Sequence, residues 1–103
     1  PRVQALLILQ GFFVMNYIVY AISSIKRNYI YVGLTSDFEN RLIRHNNGYE
    51  KTTKPYAPFK LIYCEECSSR KEARQREIYW KSVIGKEKLR AIRDKSAGLS
   101  TDR

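Results

Sequence analysis

Two runs of β-branched and aromatic residues, Tyr17 to Ser23 (YIVYAIS) and Tyr29 to Leu34 (YIYVGL), flank the short, mostly polar segment Ser24-Ile25-Lys26-Arg27-Asn28. Side chains of this kind favour a pleated backbone, and a link this short can join two strands only antiparallel. The chain is therefore expected to open on a β-hairpin. Alternation places Ile18, Tyr20 and Ile22 on one face of the first strand, and Tyr29, Tyr31 and Gly33 on one face of the second. Gly33 ends its row without a side chain, which leaves room for another backbone or a phosphate to approach.

Downstream, Ser36-Asp37-Phe38-Glu39 has the form of a capping box and Asn46-Asn47-Gly48 that of a left-handed stop, so a helix of about three turns fits between them. Tyr49 to Phe59 (YEKTTKPYAPF) mixes prolines, threonines and lysines and reads as an ordered, irregular loop. Lys60 to Glu66 (KLIYCEE) is again strand-like. A second capping-box pattern, Ser69-Arg70-Lys71-Glu72, opens a helix predicted to run to about Ile84, with Gly85 as its stop and a shorter helix from Lys86 to about Arg93. The order β, β, α, β, α, α predicts an α+β fold, a small three-stranded, mainly antiparallel sheet flanked by helices. One domain is expected over residues 16–93, with residues 1–15 as an N-terminal extension or added leader. Met15 suggests that the native start lies there. The sequence after Asp94, KSAGLSTDR, has little apolar content and is expected to form a flexible tail over residues 94–103.

Lysine and arginine outnumber acids 19 to 10, giving a net charge of +9. Between Arg70 and Arg93 nine basic residues face three acidic ones, a net +6 that concentrates the excess in one quarter of the chain. Such a field draws polyanions and raises their encounter rate. Residues 3–15 are apolar but broken by Gln4, Gln10 and Gly11 and too short for a membrane-spanning helix, so no membrane partner is expected. Cys64 and Cys67 have no second cysteine pair to complete a four-ligand zinc site, and three positions apart on a strand they point to opposite faces. They read as reduced thiols of a cytoplasmic protein.

On the second helix Ala73, Glu77, Trp80 and Ile84 fall on one stripe, which sets a carboxylate among apolar residues. A buried carboxylate needs a cation, either a neighbour such as Lys81 four residues on or a metal ion. On the first helix Phe38, Leu42 and His45 share one side, with Arg41 at its flank one turn before His45.

Together these residues resemble the GIY-YIG endonuclease family, in particular its small, UvrC-type nuclease domains. The family's first motif, a strand ending in tyrosine, looks like Tyr17-Ile18-Val19-Tyr20, with Ile18 in place of the glycine of the eponymous triplet. The second resembles Tyr31-Val32-Gly33. The arginine of the following helix matches Arg41 in Asp37-Phe38-Glu39-Asn40-Arg41, the histidine or tyrosine one turn later matches His45, and the metal-binding glutamate matches Glu77 within SRKEARQREIYWK. The resemblance covers about residues 16–93 and departs at Leu34, where UvrC-type repair nucleases carry a lysine. It implies hydrolysis of nucleic-acid phosphodiesters, DNA first, with structure rather than sequence preference, using one divalent cation (Mg²⁺ or Mn²⁺) at Glu77 and no organic cofactor. Tyr31 would activate water, Tyr20 and His45 would support it, and Arg41 would hold a phosphate oxygen. The loop residues Lys51, Thr52, Thr53 and Lys54, with Arg70, Arg74 and Arg76, would contact the nucleic-acid backbone. The alternative is a nucleic-acid-binding module on the same scaffold with little or no turnover.

Overall fold

The computed structural model describes residues 16–98, so the expectations for residues 1–15 and 99–103 lie outside the described residues. Strand β1 (Tyr17–Ser24) is the middle of a three-stranded sheet, with β2 (Ile30–Thr35) on one side and β3 (Phe59–Cys67) on the other, both antiparallel to it. Paired on both edges and covered on both faces, β1 is buried at every residue after Tyr17. Helices α1 (Phe38–Asn46), α2 (Arg70–Lys81) and α3 (Val83–Gly98) complete the expected α+β fold, with a 3₁₀ turn over Lys54–Tyr56 in the loop before β3.

The period of two along β1 sorts its side chains into two cores. Val19 and Ala21 pack with Ile30 and Val32 against Ala73 and Trp80 of α2 and Leu89 of α3. Ile18, Tyr20 and Ile22 face the other way, with Phe38 of α1, Phe59 and the flanking Tyr29, Tyr31 and Tyr56. Cys64 and Cys67 are buried, unpaired and in opposite cores, as the alternation requires. The loop before β3 is ordered, as expected. Tyr56 stacks on Tyr29 at 3.8 Å between centroids, the Ser24 hydroxyl donates to the Tyr56 carbonyl, and the Phe59 amide donates to Asn46 Oδ1.

Helix ends depart from the sequence pattern at four points. No capping box forms at α1, because the Asp37 side chain caps nothing while its own amide donates to Thr35 Oγ1. At α2 the Ser69 hydroxyl accepts the Glu72 amide as expected, but the Glu72 carboxylate reaches back one residue further, to the amide and hydroxyl of Ser68. Helix α2 stops at Lys81 rather than Ile84. Ser82 breaks it by donating its hydroxyl to the Tyr79 carbonyl and accepting the Gly85 amide, which closes one helix and opens the next. Ile84 thus leaves the α2 stripe and is exposed at the start of α3. Gly85 is not a stop. A Cβ there would collide with the Tyr79 carbonyl oxygen and the Trp80 backbone, so this glycine lets the two helices meet closely. The expected left-handed stop after α1 is present at Gly48, with φ of 75°. Finally, residues 94–98, expected to be part of a flexible tail, continue α3, which Leu89 and Ile92 anchor to the core.

Candidate active site

The site begins in the middle of the sheet. Tyr20 on β1 lies opposite Gly33 on β2, and its phenol fills the space a side chain at position 33 would need. The room predicted at Gly33 is therefore taken by the chain's own tyrosine. Tyr20 is 1% exposed, and its hydroxyl is 2.8 Å from His45 Nε2.

His45, on the last turn of α1, is itself fully buried, and its Nδ1 lies 2.8 Å from Thr53 Oγ1. The Thr53 hydroxyl donates to the Glu50 carbonyl at 3.4 Å, so its oxygen is left to accept from His45. That assigns the proton to Nδ1 and leaves Nε2 to accept from the Tyr20 hydroxyl. Burial, then the Arg41 charge, holds the His45 pKa below its ordinary value, and the imidazole is neutral at pH 7. Burial, reinforced by Tyr31, pushes the Tyr20 phenol well above its usual value, with Arg41 opposing. The Tyr20–His45–Thr53 chain is thus a neutral, directional network.

Around it stand the other predicted residues. Tyr31 is half-buried, with its ring 5.0 Å from that of His45 and 6.3 Å from that of Tyr20. Arg41 Nε lies 3.3 Å from Glu50 Oε2, within ion-pair distance, but among the described residues this buried N–H makes no hydrogen bond. Glu50 is bonded instead by Arg44 Nε at 2.7 Å, which holds its carboxyl below the usual range. Glu77 is buried on α2 with Ala73 and Trp80, and its two oxygens take ion pairs from the exposed Arg74 (3.0 Å) and Lys81 (3.1 Å). Tyr31, Arg41, Glu50 and Glu77 all lie near enough for their charges to bear on the Tyr20 hydroxyl. Leu34, by contrast, packs into the core on the α2 side, away from the Tyr20 face.

Among the described residues no three His, Cys, Asp or Glu side chains converge on a common point. The described residues thus form no closed cage for a metal. A hard divalent ion keeps several waters and needs only one or two carboxylates besides substrate oxygens. Glu77 fits that role, since only exposed cations cover its oxygens.

The basic residues divide. Lys51, Lys54, Arg70 and Arg74 are exposed, Arg70 lying over the Tyr17 ring at 5.9 Å. Arg76 is different. It holds both oxygens of Glu65 on β3, a carboxylate that Tyr63 and Trp80 also donate to, and its guanidinium lies over the Tyr79 and Trp80 rings. Burial alone would raise the Glu65 pKa, but these bonds outweigh it and keep the carboxylate charged. Arg76, expected to contact the nucleic-acid backbone, is held in this ion pair with its side chain 41% exposed. Thr53 likewise sits buried behind His45 rather than on a binding surface. Thr53 as a partner of His45, and Glu50 beside Arg41, were not legible in the sequence. Both belong to a loop without periodicity, and nothing local pairs position 53 with position 45.

The family described as the GIY-YIG catalytic domain matches residues 16–90. A UPF0213 protein of Clostridium perfringens is 39% identical over 83 residues, covering 80% of this chain and 87% of that protein. The UPF0213 protein YazA of Bacillus subtilis is 37% identical over 81 residues, covering 78% and 81%. The solution structure of a UPF0213 protein from Bacillus halodurans is 29% identical with a TM-score of 0.48, covering 85% of this chain and all of that one.

Proposed function

Because the chain belongs to the GIY-YIG family, we propose that it is a metal-dependent endonuclease that hydrolyses nucleic-acid phosphodiester bonds, with DNA recognised by structure rather than sequence. The observation that carries this reading is Arg41. Among the described residues its buried Nε–H makes no hydrogen bond, and its side chain is 34% exposed. It can swing that N–H onto a non-bridging phosphate oxygen without giving up a hydrogen bond.

Beside it, the half-buried Tyr31 is the phenol that water can reach, and it is assigned the activation of the attacking water. Tyr20 is sealed and kept protonated, which suits a positioning role. A phenol is a poor base near neutral pH unless cations favour its phenolate. With His45 neutral, Arg41 is the side chain of this cluster that supplies such charge. His45 then fixes Tyr20, and through it the Gly33 end of β2, next to Tyr31. Glu77 is assigned to hold Mg²⁺ or Mn²⁺, which when bound would neutralise charge developing on the leaving oxygen. Lys51, Lys54, Arg70 and Arg74 would contact the backbone of the substrate.

A second reading has specific support. Leu34 replaces the lysine of UvrC-type relatives, and both Glu77 oxygens are ion-paired, as they would be in a binding module without turnover. The two readings part on Tyr31→Phe. An endonuclease loses turnover in Mg²⁺ or Mn²⁺ while nucleic-acid affinity and melting temperature hold, whereas a binding module shows no turnover to lose. Wild-type rates in the variant would refute the role given to Tyr31.

A further inference from the structure

Outside this cluster, a cavity of about 320 Å³ opens where the hairpin turn meets α3, lined by Asn28, Tyr29, Ile30, Lys86, Arg90 and Arg93. Lys86, Arg90 and Arg93 follow at four and three residues and so share one face of α3. That face adjoins the core on the side of the sheet opposite Tyr20, where Leu89 and Ile92 pack.

Each cation has donors to spare. Lys86 Nζ uses one N–H on the Ile30 carbonyl at 2.8 Å, which leaves two. Arg93 donates Nη1 to Asn28 Oδ1 and Nε to Asp94, and keeps the N–H groups of Nη2. Arg90 is exposed and, among the described residues, makes no hydrogen bond or ion pair. Among the described residues Asp94 is the one carboxylate that pairs with any of the three, and it takes Arg93 alone. Three cations gathered round one opening repel each other, and burial followed by Arg90 and Lys81 lowers the Lys86 pKa accordingly. An anion seated among them would remove that repulsion and accept the free N–H groups.

We propose that Lys86, Arg90 and Arg93 form a second phosphate-binding site, which holds a backbone phosphate of the bound nucleic acid away from the cleavage centre. The site rests on the nucleic-acid reading above. It differs from the predicted contacts at Lys51, Lys54, Arg70 and Arg74, and it would extend the bound strand or a second arm of a branched substrate round the β2 edge of the sheet.

The test is Arg90→Gln, chosen because Arg90 supports no other group, with Lys86→Gln as a second variant. Affinity for duplex and branched DNA is measured by anisotropy over a salt series without divalent ions. The expected result is binding weakened several-fold in Arg90→Gln, with a log–log salt slope shallower by about 0.9. Amide shifts of the wild-type protein titrated with a short duplex should include residues 28–30 and 86–93, whatever the behaviour of the variants. Unchanged affinity and slope, or shifts that leave those residues untouched, would overturn the site. Loss of binding in Arg90→Gln in a protein that never cleaves would keep this site and sink the nuclease reading. Glu77-dependent cleavage by a protein whose affinity and salt slope do not change in Arg90→Gln would do the reverse.

Discussion

Thr53 is the residue on which the protonation of the site turns. It is fully buried, and its hydroxyl is the group that assigns the His45 proton to Nδ1. Thr53→Val keeps the shape and removes the acceptor, leaving a buried N–H unsatisfied at a cost of about 1–3 kcal/mol. Urea denaturation should show that loss, and ¹⁵N shifts of the imidazole should show the tautomer no longer fixed. A variant as stable as wild type would remove the network from the account. The same histidine sets a pH dependence. Its folded pKa lies below the unfolded value of about 6.5, so below that pH the unfolded chain binds a proton that the folded chain refuses. Stability is full above about pH 6.5 and falls as pH drops through that value towards the folded pKa. His45 is the one histidine in the sequence, and the Glu50 and Glu65 carboxylates lose their contributions only at lower pH. Denaturation midpoints should therefore fall between about pH 7.5 and about pH 5.5, and His45→Gln should flatten that fall. A midpoint that rises on acidification contradicts the assignment.

At the scale of elements, what could be read in advance was what local chemistry decides. The tyrosine-rich runs became β1 and β2 within a residue at each end, because their pairing and alternation follow from side-chain shape and a short link. Glu77 on an apolar stripe was equally visible, since a helical period places it beside Ala73 and Trp80 whatever lies opposite. The α2–α3 break was not. Val83 and Ile84 continue an apolar helical pattern, and only the Ser82 hydroxyl and the closeness of the two helices at Gly85 reveal the interruption. The partners of Arg76 and Thr53 were hidden for a related reason, because Glu65 and His45 reach them across the fold. The helix junction makes its own prediction. Gly85→Ala drives a methyl group into backbone that cannot move aside, and overpacking of this kind costs about 1–3 kcal/mol. Thermal melting should show it, and a neutral or stabilising effect would mean that α2 and α3 are not as close as described.

For the whole molecule, charge and the cluster round Tyr20 together define the behaviour expected in solution. A net charge of +9, two-thirds of it between Arg70 and Arg93, predicts affinity for nucleic acid that falls steeply with salt and varies little among unrelated sequences. Among the described residues no helix is long and apolar enough to cross a membrane. Charge alone would give a binder, and the Tyr20–His45–Thr53 network with Tyr31, Arg41 and Glu77 is what argues for chemistry beyond binding. The most direct test is cleavage of single-stranded, duplex, nicked and branched DNA in Mg²⁺ or Mn²⁺ by wild type and by Glu77→Ala, with binding measured in parallel. The expected result is metal-dependent cutting by wild type, strongest on the structured substrates, and its loss in Glu77→Ala with binding intact. Equal cutting by both proteins, or no cutting of any substrate by either, would contradict it.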